Sequence, residues 1–213
     1  KMDKFLVAAI EGWNRDLYER FSVSLAGEWG FVSSPDELEN YLSKNNPKYI
    51  FFPHWRWIVP SEVVNEYDCV CFHMTDLPYG RGGSPLQNLI LRGNKETVLT
   101  ALKMDEGVDT GPIFFKEPLD LEGTAQEIYV RAAELTWSLI RKIVDENPVP
   151  ESQVGDTVLF KRRLPFESEL PDLNSLEQLY DFIRMLDAPG YPHAFLETSK
   201  YRINFTKASL SNQ

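Results

Sequence analysis

The chain has 213 residues, 43% of them hydrophobic and 25% charged, the composition of an ordinary soluble globular protein with room for one good core and a small appendage. Its 32 acidic residues outnumber the 22 basic ones, and the formal net charge of −10 argues against a polyphosphate partner, tRNA included. The stretch from Lys1 to Trp13 holds only a short apolar run, so neither a cleavable leader nor a membrane span is expected, and a cytoplasmic location follows.

The elements begin with a strand over Phe5–Ile10 and a helix over Trp13–Phe21, whose Trp13, Leu17 and Phe21 recur at fourfold spacing. Ser34-Pro35-Asp36-Glu37 supplies an N-cap, a proline at the first helical position and a capping-box glutamate, so a helix of about ten residues starts there. Tyr49–Phe52 and Cys69–Phe72 are short apolar runs, as expected of strands buried on both faces of a parallel sheet. Pro85 opens a helix to Leu91, and Thr97–Met104 and Ile113–Phe115 read as strands. Thr124 to Glu127 is a second capping box, ahead of a long helix with Ile128, Ala132, Leu135, Leu139 and Ile143 on its buried stripe. Glu146–Asp156, with two prolines and a glycine, reads as a linker, and Ser175-x-x-Gln178 caps a last helix. Strand alternating with helix predicts an α/β fold: an open, mostly parallel sheet with flanking helices, plus a small C-terminal module. The division expected is 1–148 and 149–213.

Chemistry concentrates in Cys71-Phe-His73-Met-Thr75-Asp-Leu77-Pro78-Tyr-Gly80-Arg81-Gly82-Gly83-Ser84-Pro85-Leu-Gln87-Asn88. A strand ends in a histidine and a glycine-rich loop leads into a helix; in open parallel sheets, ligands bind beyond the carboxyl ends of the strands. Some twenty-five residues on, Met104-Asp-Glu-Gly107-Val-Asp109-Thr110-Gly111 forms a turn-rich loop that can present Asp109 to the same pocket, and a histidine with a carboxylate can move protons. Taken alone, His73 reads as a satisfied core histidine and Asp109 as a turn cap; only together do they suggest a site. Cys69, Cys71 and His73 share one strand face, but neighbours there stand roughly 7 Å apart, too far for shared tetrahedral ligation, so no metal is expected and both thiols read as reduced. His54 fits a pocket rim as well as a catalytic role, and His193 reads as structural. Lys161-Arg162-Arg163 reads as a solvated edge, or else as a phosphate contact.

The order His73-x-Thr75-x-Leu77-Pro78, then Arg81-Gly82, then a proline opening a helix, then Asp109-x-Gly111 after a hairpin resembles the formyltransferase family that uses 10-formyltetrahydrofolate. Members include the methionyl-tRNA formyltransferases and enzymes that formylate glycinamide ribonucleotide or amino sugars on nucleotide carriers. The resemblance runs from about Tyr49 to Ile143. It is closest to the sugar N-formyltransferases, and Phe51–Pro60 is similar to enzymes of nonulosonic-acid pathways such as that of pseudaminic acid.

The resemblance implies a Rossmann-like formyltransferase fold, residues 1–148 being the catalytic domain. It places the catalytic pair at His73 and Asp109, with Asp109 orienting the histidine and accepting the amine proton. Where the family has an asparagine that donates to the tetrahedral intermediate, this chain has Cys71, a weak donor, so Asn88, Gln87 or a backbone N–H is expected to substitute. The folate carrier is expected against Phe52, Pro53, Trp55, Trp57, Ile58, Gly107 and Asp109, and the acceptor near Thr75, Tyr79, Arg81 and Gly82. The activity implied is formyl transfer from 10-formyltetrahydrofolate, without metal, to a small-molecule amino sugar, nucleotide-linked or a nonulosonic-acid precursor. No nucleic acid and no membrane is expected as partner, and a homodimer is the assembly to look for. Hydrolysis of the formylated folate and a catalytically silent folate- or sugar-binding protein are the alternatives.

Overall fold

A computed structural model describes residues 1–213. Its first half alternates β1 (Lys4–Ala9), α1 (Trp13–Ser22), β2 (Glu28–Val32), α2 (Pro35–Leu42), β3 (Tyr49–His54), α3 (Ser61–Glu66) and β4 (Asp68–His73). There follow β5 (Tyr79–Gly82), α4 (Pro85–Leu91), β6 (Glu96–Lys103), β7 (Ile113–Asp120) and α5 (Ala125–Glu146). The tail adds β8 (Val158–Phe160), a short 3-10 turn at Pro165–Ser168, α6 (Leu176–Arg184), β9 (Ala194–Glu197) and β10 (Arg202–Phe205). No helix is long and apolar enough to cross a membrane.

The main sheet has six strands in the order β2-β1-β3-β4-β6-β7. The first four are parallel, and β6 and β7 return antiparallel. Chain order reverses beside β1, since β2 lies on one side of it and β3 on the other, so the connections that leave β1 and β3 turn to opposite sides. Both faces are covered, which is why β1 and β3 are apolar in runs rather than alternating. On one face Phe5, Val7, Phe51, Val70 and Leu99 pack under Trp137, Ile140 and Ile143 of α5. On the other, Leu6, Ala8, Ile50, Phe52 and Cys69 meet Leu38 of α2, with Val63 of α3 against them. Truncating a fully buried side chain such as Phe51 is expected to cost about 3–5 kcal/mol.

Helix starts follow their caps: the Ser34 and Thr124 side chains accept from the backbone N–H of Glu37 and Glu127, and Ser175 does the same for Gln178. The α5 helix ends at Asn147 in the left-handed region, φ 45°.

Two expectations change. β7 runs on to Asp120 rather than ending at Phe115, because its whole length pairs with β6. The stretch read as a linker is not free: Glu151 exchanges two backbone hydrogen bonds with Ile113, and β8 pairs in parallel with β5. The tail therefore shares a third core with the rest of the molecule. In it Phe160, Phe182, Met185 and Ala194 pack with Leu86, Leu89, Ile90, Leu121 and Ile128. Arg184, buried, ties α6 down by donating to the carbonyls of Leu121 and Gly123.

Candidate active site

His73 is the last residue of β4, at the carboxyl edge of the sheet, and is 8% exposed. Its Nε2 lies 2.7 Å from the carbonyl oxygen of Gly80, an atom that only accepts, so Nε2 carries the proton and Nδ1 faces the other way. Gly80 can come this close because it has no side chain: at φ 76° a Cβ would run into Thr75 and the Phe160 ring.

Asp109 comes from the hairpin between β6 and β7, in the left-handed region at φ 54°. Asp105 shapes that hairpin by accepting from the Gly107 N–H at 2.9 Å and the Thr110 hydroxyl at 2.6 Å. The Asp109 carboxylate accepts a 2.9 Å hydrogen bond from the Gly82 N–H and stands 3.7 Å from Nδ1 of His73. That gap is too long for a direct hydrogen bond. Asp109 thus does not orient the histidine as the sequence suggested; the Gly80 carbonyl does, and Asp109 is itself held by Gly82.

Beside the pair opens a cleft of about 950 Å³. All seven residues expected to hold the carrier line it: Phe52, Pro53, Trp55, Trp57, Ile58, Gly107 and Asp109. Phe52 and Trp55 meet edge to face with centroids 5.7 Å apart, and Trp55 and Trp57 at 4.8 Å, which gives one wall flat aromatic surfaces. Cys71, Phe72, His54 and Met104 also face the cleft, His54 at the rim its sequence context allows and Phe72 and Met104 with no sequence signal, and a small cavity of about 150 Å³ adjoins it beneath the Asp109 loop. Burial of its ring, with the Arg56 guanidinium beside it, holds His54 below the ordinary histidine range, and its Nδ1 meets the Asn14 amide at 3.4 Å. Burial, then the nearby Asp109 carboxylate, push the Cys71 thiol far up, so it is a neutral S–H donor and not a nucleophile.

The remaining expected contacts are not brought to the cleft. The Asn88 amide donates to the carbonyls of Gly83, Ser84 and Lys161, and its oxygen accepts from Arg92, so it has nothing to offer His73. Gln87 is buried and donates to Tyr129 and the Met185 carbonyl. Both are corrected to structural roles, fastening α4 to the tail. Thr75 has no exposed surface; its hydroxyl donates to Gly80 and its carbonyl accepts from Thr100. Tyr79 turns its ring edge-on against Phe160, in the tail core. The Arg81 fork is closed on the side-chain oxygen of Gln153. Gly82 touches the site through its N–H to Asp109 alone, while a Cβ there would strike the Phe160 carbonyl. Thr75, Tyr79, Arg81 and Gly82 therefore build the site's frame and lie outside this cleft. No three His, Cys, Asp or Glu side chains converge as metal ligands would.

Residues 25–144 match the family model described as formyl transferase, and residues 165–213 one described as the C-terminal domain of methionyl-tRNA formyltransferase. A methionyl-tRNA formyltransferase of Rickettsia africae (strain ESF-5) is 35% identical over 138 residues, 62% of this chain and 46% of that protein. The chain thus spans less than half the length of the curated relatives it matches. Among solved structures, a methionyl-tRNA formyltransferase from Clostridium thermocellum superposes with a TM-score of 0.93 at 45% identity, covering 99% of this chain and 94% of that one. A sugar N-formyltransferase from a Shewanella species has the same fold, with a TM-score of 0.73 at 16% identity and complete coverage of both chains.

Proposed function

Because the chain belongs to the formyl transferase family, we propose that it moves a formyl group from 10-formyltetrahydrofolate, seated in the aromatic cleft, to the primary amine of an amino sugar, nucleotide-linked or a nonulosonic-acid precursor. One observation carries this reading: the Nδ1 of His73 and the Asp109 carboxylate face each other across a 3.7 Å gap, and Asp109 lines a cleft whose wall suits a flat ring system.

The amine nitrogen attacks the formyl carbon and gives a tetrahedral intermediate; the bond from that carbon to the carrier nitrogen then breaks. The amine loses one proton and the carrier nitrogen gains one. His73 handles both at Nδ1, since Nε2 is committed to Gly80, and Asp109 stabilises the imidazolium while it exists. The protonated Nδ1 and the Cys71 thiol are the donors at hand for the developing oxyanion, the two side-chain amides being engaged elsewhere. The division near residue 148 is kept in this reading as one of function, with the C-terminal module supporting the site from behind.

A second acceptor is favoured by a specific observation: the 45%-identical structure and the curated relatives are named for methionyl-tRNA. Against it stands the net charge of −10. Incubation with 10-formyltetrahydrofolate and, separately, nucleotide-linked amino sugars and methionyl-tRNA discriminates these. Release of tetrahydrofolate that depends on the sugar amine is the expected result, and dependence on methionyl-tRNA alone would overturn the acceptor. Release without any amine would make the chain a hydrolase, and binding without turnover a silent carrier protein. His73→Asn is expected to lower kcat by about a hundredfold or more; full activity in that variant would sink the mechanism.

A further inference from the structure

The stretch after α5 crosses directly behind the site. It bridges Ile113 through Glu151, passes Gly155 against Pro78, and becomes β8 against β5. Midway, the Gln153 side chain uses all of its polar capacity on two elements at once. Its Nε2 donates to the Asp109 carbonyl at 2.7 Å and the Gly111 carbonyl at 2.9 Å. Its Oε1 accepts from Nε and Nη2 of Arg81 at 3.1 and 2.7 Å. Arg81 stands between Gly80, whose carbonyl orients His73, and Gly82, whose N–H holds the Asp109 carboxylate. One side chain thus joins the loop that sets the histidine to the loop that sets the aspartate.

We propose that Gln153 is a positioning residue for the His73–Asp109 pair, fixing the left-handed Asp109 backbone relative to the Gly80–Gly82 strand so that the carboxylate faces Nδ1. The consequence for transfer rests on the reading that this pair performs formyl transfer; the positioning itself does not. Geometry favours this role over a merely stabilising one. Gln153 sits on a strap outside the three cores, and its four hydrogen bonds reach only the two loops that carry the pair. An amide is required: a carboxylate at the same place would keep Arg81 but set negative charge against two carbonyl oxygens.

Gln153→Ala and Gln153→Glu separate these roles. Both are expected to lower kcat by about tenfold to a hundredfold, the scale of a misplaced catalytic group, while KM for 10-formyltetrahydrofolate and the melting temperature stay near those of the parent. Gln153→Glu at full kcat, or a loss in either variant that merely tracks the unfolded fraction, would overturn the proposal. A second readout needs no turnover. In Gln153→Ala the Gly82 amide, followed by hydrogen exchange, is expected to exchange about tenfold faster or more while the core amides keep their protection, because the Asp109 carboxylate that accepts it drifts away. If the parent shows no transfer to any amine, the transferase reading fails, and the exchange alone decides: faster exchange at Gly82 upholds the positioning and unchanged exchange there overturns it. Should Gln153→Ala fail to fold, the Gly82 amide is followed in Gln153→Glu in its place, unchanged exchange again being the overturning result.

Discussion

At the level of single residues, backbone groups hold the pair in place: the Gly80 carbonyl fixes His73 and the Gly82 N–H fixes Asp109. His73 and Asp109 were legible because a histidine at a strand end and an aspartate in a hairpin stand out by type and spacing. The orienting partner was not: it is a backbone carbonyl, and Gly80 advertises it only as one glycine among several in a loop. Asn88 looked available because its amide is nominally free, yet three backbone carbonyls compete for it, and no local pattern reveals carbonyls that arrive from Lys161. Cys71 remains the exposed weakness of the site. Replacing it with asparagine, next to the adjoining cavity of about 150 Å³, puts a strong donor at the cleft wall. Since one such donor is worth about a hundredfold to a thousandfold in kcat and the thiol supplies part of that already, Cys71→Asn is expected to raise kcat by about tenfold. Steady-state kinetics on the folded variant checks this; a fall in kcat with KM unchanged would mean that the thiol is not standing in for an amide.

Among the elements, those with a local signature were found and those defined by a distant partner were not. The buried strands β1, β3 and β4 and the capped helices α2, α5 and α6 carry their instructions within a few residues. β2 is a half-exposed edge strand with a glycine inside it, and α3 is a six-residue turn after a proline. β5 and β8, four and three residues long, exist only because they pair with each other across more than seventy residues of chain. Gly82 is the hinge of that pairing, at φ 107° with the Phe160 carbonyl where its Cβ would be. Gly82→Ala is therefore expected to destabilise the chain by about 2 kcal/mol or more in urea unfolding. It should also lose activity in the fraction that stays folded, because the N–H that holds Asp109 moves with the strand.

Across the whole molecule, the alternation of strand and helix indicates an α/β chain with a small C-terminal part but not how closely that part is joined. A proline- and glycine-bearing stretch reads as a linker on composition alone, whereas Gln153 and Glu151 turn it into a strap. The shared burial has a titration consequence. Burial raises Cys69 from 9.0 to about 12, with Asp68 adding to the rise, and Tyr18, Tyr41, Tyr49 and Tyr129 are raised chiefly by burial as well. These groups stay neutral in the folded chain while the unfolded chain ionises, so the unfolded state binds fewer protons above about pH 9 and stability must fall there, with the Cys69 share lost progressively up to about pH 12. The urea midpoint is expected to drop between about pH 8 and about pH 10.5, and to drop less in Cys69→Ala, each fully buried group contributing at most about 1.4 kcal/mol per pH unit. A midpoint equally pH-dependent in both would place the cause elsewhere. The pairing of β5 with β8 also bears on how the molecule is born. A ribosome delivers Gly80, Gly82 and Asp109 long before Phe160, Phe182 and Ala194, so the nascent chain holds His73 and Asp109 while lacking the strand and core that keep them in place. Until β8 and the core around Phe160, Phe182 and Ala194 are in place, neither Gly80 nor Gly82 has the support that fixes His73 and Asp109.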